Sequence, residues 1–179
     1  MRKWNAVLSV LLIFICLLHG IMGSFMLLGV SSSAGKLLAY AGAAILAVHT
    51  VIGIILTVQT LRASSKSGPC YARQNAAFWA RRASGFAILL LLFFHIGLFG
   101  GVRDGVYILF PFTTVKLLTQ LLLVAALFLH LFLNLRPLLV SLGIVPCKEH
   151  CSDVGLVLSV LLLFISCAII LYYIGWQQV

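Results

Sequence analysis

The chain has 179 residues, 63% of them hydrophobic and 8% charged, where soluble domains carry about 25% charged residues. A mean hydropathy of +1.21 excludes a soluble globular enzyme and indicates an integral membrane protein without a soluble domain. Only three acids, Asp104, Glu149 and Asp153, stand against 12 lysines and arginines, for a net charge of +9. Because the basic residues gather at the ends of apolar runs, the charge points to membrane orientation and not to nucleic-acid binding.

A helix rises about 1.5 Å per residue and needs about 20 apolar residues to cross the hydrocarbon core. Five runs meet that length, at 6–30, 37–61, 79–101, 112–136 and 154–175. The fold class expected is all-α: one bundle of five transmembrane helices, read as a single domain over 1–179. The opening MRKWNAVLSVLLIFICLL begins like a signal peptide, but the apolar run continues past His19 to Val30 without an A-x-A site, so it reads as a retained first span. SSSAGK makes a tight first connection, RASSKSGPCYARQNA the longest loop, and GGVRDG a third turn. In the fourth connection Pro137 should end or kink its helix, and the apolar LLVSLGIVP that follows predicts a short interfacial helix.

Cytoplasmic loops retain Lys and Arg. Arg2 and Lys3 precede the first span, and Arg62, Lys66, Arg73, Arg81 and Arg82 fill the second connection. The opposite side holds Lys36, Arg103 and Lys116, partly offset by Asp104. The N-terminus is therefore expected in the cytoplasm and the C-terminus outside, in a cytoplasmic (inner) membrane of bacterial type. Five cysteines, two of them within apolar runs, do not read as a disulfide framework.

The histidines carry the chemistry. His19, His49, His95 and His130 lie one in each of the first four spans. An ionisable residue inside a membrane is costly, faces the bundle interior and takes a partner. A single histidine of this kind is commonly a helix-packing residue bonded to a carbonyl or hydroxyl. Four, one per helix, suggest two bis-histidine haems b, because haem iron takes two axial ligands and a bundle interior accommodates cofactors between facing helices.

Depth predicts the pairing. His19 and His95 each lie about 22 Å above the cytoplasmic start of their helices, whereas His130 lies about 9 Å from Arg136 and His49 near the middle of its span. His19 with His95 would hold the outer haem and His49 with His130 the inner one, the second pair requiring tilt or offset helix ends. Small residues accompany the ligands, with Gly23 four after His19, Gly42 and Gly53 on the His49 face, and Ala126 four before His130. Such residues also mediate helix packing in membranes.

The segment WARRASGF, with His95 ten residues after its Gly85, resembles the helix opening Arg-Ser/Thr-Gly, then His, of the membrane cytochrome b subunits of succinate dehydrogenases and fumarate reductases. The local motif rests on Arg82, Ser84, Gly85 and His95. Five helices with histidines on the first four resemble the single-subunit dihaem branch of that family, whose ligand pairing would also be His19/His95 and His49/His130. The resemblance implies an anchor passing electrons between a membrane quinone and a cytoplasmic flavoprotein with an iron–sulfur subunit. It leaves no flavin-site catalysis in this chain and is compatible with a homo-oligomer of the complex. The basic cytoplasmic face, with Lys66, Arg73, Arg81 and Arg82, would suit an acidic partner and the inner haem propionates. No acid lies inside a span, so no transmembrane carboxylate relay is expected.

Quinone chemistry needs a proton exchanger, and two places offer one. An outer site would use Asp104 with Tyr107, Thr114 and Lys116, and an inner site Trp79, Arg82 and Ser84. PCKEHC, with Cys147, His150 and Cys151, has residue types that bind zinc or iron together with Cys70, although a reduced loop accounts for it as well. The alternative functions are a cytochrome b anchor of another respiratory oxidoreductase, disfavoured because no span carries two histidines, and a haem-free transporter or assembly protein.

Overall fold

The computed structural model describes residues 2–31, 35–66, 75–103, 106–144 and 147–178. Five helices are long and apolar enough to cross a membrane: α1 (Arg2–Leu27), α2 (Lys36–Lys66), α3 (Ala76–His95), α4 (Thr114–Ser141) and α5 (Cys147–Gln177). Large apolar side chains such as Leu37, Phe86, Phe93 and Val115 point outward, as lipid-facing surface requires.

The third helix departs from its expected range. It stops at His95 instead of continuing to 101, because Ile96 turns extended and Gly97 takes φ +71°, a left-handed value open to a residue without Cβ. The chain then enters a β-hairpin in place of a simple turn. β1 (Gly100–Arg103) pairs antiparallel with β2 (Val106–Leu109), Gly100 opposite Leu109 and Arg103 opposite Val106. The β-branched and aromatic VYIL favours this extended state. The expectation of an all-helical chain thus holds for the spans, with a two-stranded hairpin added between α3 and α4.

The fourth helix does not end at Pro137. The proline removes the bond to the carbonyl four residues back, but Leu135 and Leu139, one on each side of it, are both buried against Leu158 of α5. Packing therefore holds the helix through the defect, and it ends at Ser141 in a Schellman cap. There Gly143 N–H donates to Val140 O at 3.1 Å and Ile144 N–H to Leu139 O at 3.0 Å. Among the described residues there is no separate interfacial helix, and from Cys147 onward the chain already belongs to α5.

The helices pack in the order α2, α1, α5, α4, α3, and α1 also meets α4 directly, Ile13 and Leu17 lying against Leu135 and Leu139. Within the described residues α2 approaches only α1 to within 8 Å between Cα atoms, and α3 approaches only α4. α5 is the back wall, burying Leu158, Leu162, Ala168, Ile169 and Tyr172. Near its end, Tyr172 meets Phe112 at 5.3 Å between ring centroids, and Phe112 stacks on Phe99 at 5.3 Å. In front of α5 a cleft has α1 and α2 on one side and α3 and α4 on the other, bridged by the Arg82–Thr57 hydrogen bond.

Candidate functional site

All four span histidines are half-buried. His19 of α1 and His95 of α3 lie opposite each other, their ring centroids 6.1 Å apart and their planes at 82°. Two imidazoles sharing one metal, with metal–nitrogen bonds of about 2.0 Å, have centroids about 6.3 Å apart. An edge-to-face aromatic pair falls in the same range, so the hydrogen bonds around the rings carry the distinction.

His95 Nδ1 is 2.7 Å from Gln120 Oε1, and Gln120 is 1% exposed. His130 Nδ1 is 3.0 Å from Ser84 Oγ. Ser84 donates its one proton to Arg81 O at 3.1 Å, so its oxygen accepts from His130 Nδ1–H, which leaves Nε2 with its lone pair. Gly85 admits the ring: a Cβ there would stand 3.2 Å from His130 Cε1. His49 Nδ1 is buried and has no hydrogen-bond partner among the described residues. A buried, unbonded nitrogen is costly, which fits a histidine whose environment is completed by a bound group.

Helix registers on the two walls give two levels with the same spacing. On one wall, Gln120 beside His95 and His130 beside Ser84 are 10 residues apart on α4, or about 15 Å. On the other wall, Gly42 approaches Ile15, an antiparallel register that sets His49 opposite Leu8. His19 is 11 residues farther along α1, about 16 Å. His19 with His95, and His49 with His130, therefore fall at matching heights. The longer helices also reduce the mismatch expected for the second pair, since His49 lies 13 residues after Lys36 and His130 16 after Thr114, about 20 and 24 Å along their helices.

Arg82, Ser84 and Gly85 converge on this second level. Arg82 Nε donates to Thr57 Oγ1 of α2 at 3.2 Å, and its guanidinium lies 4.2 Å from the Phe78 ring centroid. Between α2, α3 and α4 a cavity of about 620 Å³ is lined by Gln59, Thr60, Arg81, Arg82, Asn134 and Pro137 among others. Ser84, 4% exposed, is turned toward His130; Trp79 borders a smaller neighbouring pocket with Asn75 and Ser64.

The outer candidates are less gathered. Asp104 lies outside the described residues, as do Arg73 and Cys70. Tyr107 sits in β2 opposite Val102. Lys116 Nζ donates to Pro111 O at 2.8 Å, and Thr114 Oγ1 lies 2.9 Å from the Tyr173 hydroxyl. Of the small residues, Gly23 and Gly53 face open space, whereas Gly42 is used for packing against Ile15.

Sequence reasoning missed Gln120 and Thr57. Gln120 carried a signal, since an amide in an apolar span needs a buried partner as a histidine does. Among the described residues no three of His, Cys, Asp and Glu gather to hold a metal ion; a haem, which supplies four ring nitrogens itself, asks the protein for two ligands only. Compared with known proteins, the chain matches no family model, no curated protein and no solved structure.

Proposed function

We propose that this multi-pass membrane protein is a dihaem cytochrome b subunit that passes electrons between a membrane quinone and a cytoplasmic flavoprotein and iron–sulfur partner of succinate dehydrogenase or fumarate reductase type. The observation that carries the reading is the two-level arrangement across one cleft, His19 facing His95 and His49 level with His130 about 15 Å away. A bound haem b supplies reversible one-electron chemistry at its iron.

The chain's own residues do the rest. Gln120 and Ser84 orient the rings of His95 and His130, while Gly85 makes room for the His130 ring. Arg81 and Arg82, with Gln59 and Asn134, line a cavity whose size suits a ring-sized ligand. This supports the inner of the two quinone sites, with Arg82 offering a donor to a quinone oxygen or a haem propionate. The same basic end would face the cytoplasm and meet the partner subunits, with the N-terminus inside and the C-terminus outside.

The test is a dithionite-reduced minus oxidised spectrum of the chain, purified in mild detergent from haem-supplied cells, with a pyridine haemochrome count. Two haems b per chain are expected. A folded chain without haem would return the histidines to helix packing and overturn the electron-transfer reading.

A further inference from the structure

We propose that Gln120 is a positioning residue that fixes the tautomer of His95 and thereby sets the potential of the haem held at the His19–His95 level. The proposal rests on the dihaem reading. Amide orientations follow from hydrogen-bond networks, and here the network allows one assignment. Thr119 Oγ1 donates its proton to Lys116 O at 2.8 Å, so that oxygen can only accept. The Phe94 carbonyl also only accepts. Gln120 Nε2 donates to both, at 3.4 Å each, which turns Oε1 toward His95 and makes Nδ1 of that ring the donor at 2.7 Å.

Nε2 of His95 consequently holds an unshared pair on the side away from Gln120, the form in which imidazole binds iron. An Nδ1–H bonded to a carbonyl oxygen also makes the ring a stronger electron donor, which favours the ferric state. At the other level His130 Nδ1 lies 3.0 Å from the Ser84 hydroxyl, and the ring also hydrogen-bonds the Arg81 backbone. The Gln120 bond thus lowers the potential of the haem held at His95 relative to the same ring without it.

The experiment combines two readouts on Gln120→Leu and Gln120→Glu. In the haem-free chain, 15N spectra of labelled histidine should show His95 protonated at Nδ1, and Gln120→Leu should let the other tautomer appear. In the haem-loaded chain, redox titration should show the component that is absent from His95→Ala moving upward in Gln120→Leu. A tenfold loss of ferric over ferrous preference corresponds to about 59 mV for one electron. Gln120→Glu, which keeps an acceptor and strengthens it, should move the same component downward; a packing defect alone would not give shifts of opposite sign. Two haems with an Nε2-protonated His95, or with a potential indifferent to both variants, overturn the role of Gln120 and leave the dihaem reading standing. A wild-type chain without haem overturns the proposal about potential together with that reading, and the 15N spectrum then still tests the hydrogen bond.

Discussion

At the His19–His95 level the two rings already stand 6.1 Å apart, held from behind by a buried amide and by Phe99, whose ring is 5.9 Å from His95. At the His49–His130 level one wall is finished and the other is not. His130 is seated by Ser84 and Gly85, but His49 rides on α2, which packs against α1 alone and reaches α3 through the Arg82–Thr57 hydrogen bond. The difference teaches how a bundle without hydrophobic drive between its helices places polar side chains in its interior. One level is preorganised by packing around α5 and the hairpin, and the other depends on single polar contacts and, under the dihaem proposal, on the bound group.

The largest effects should come from the ligands. His95→Ala or His19→Ala is expected to lower the haem count from two to one, removing one spectral component, and His130→Ala or His49→Ala to remove the other. Loss of both haems from every variant would leave the pairing without support and erase the contrast between levels. Next comes Gly85→Val. Because even a Cβ at this position meets His130 Cε1 at 3.2 Å, the larger side chain must displace the ring. The inner haem should be lost and the outer retained, with Gly85→Ala intermediate, as counted by haemochrome. Full retention of both haems in Gly85→Val would mean that His130 is not held as described.

A smaller effect is expected from Ser84→Ala. Losing the partner of a ligating histidine costs about 10–100-fold in metal affinity, so the inner haem should dissociate at least tenfold faster to an excess of apomyoglobin, with the outer haem unchanged. Equal acceleration at both levels would place the defect in the bundle and not at His130.

The spans and the four histidines were legible in the sequence because apolar length and the cost of an ionisable group in lipid are local properties. The facing of His19 and His95 followed from counting rise along helices. The sequence did not reveal where helices stop when capping decides it: Gly97 ends α3 at His95, and packing of Leu135 and Leu139 carries α4 through Pro137. Apolar periodicity registers neither event. Arg82, Ser84 and Gly85 were read as a motif, yet their meeting with His130 and Thr57 belongs to tertiary structure, since Ser84 and His130 are 46 residues apart. For Gly42 the sequence allows cofactor space or helix packing alike, and the approach of Ile15 of α1 shows the packing use.

The smallest expected effect tests the unfinished wall most directly. Thr57 accepts from Arg82 and donates its own proton to Gly53 O at 2.7 Å. Thr57→Val keeps the shape and removes both bonds. Hydrogen bonds between membrane helices contribute about 0.6 kcal/mol on average and up to about 1.7 kcal/mol, so the helices should remain folded and the outer haem unaffected. α2, which among the described residues packs closely only against α1, should then sample positions in which His49 lies too far from His130 to share a ligand. The inner haem should leave about three times faster, as expected for a loss near the average value, while its spectrum at full occupancy stays the same. If Thr57→Val changes neither rate, α2 is held by the bound group alone, and the Arg82 guanidinium serves the cavity beside it instead of tethering the helix.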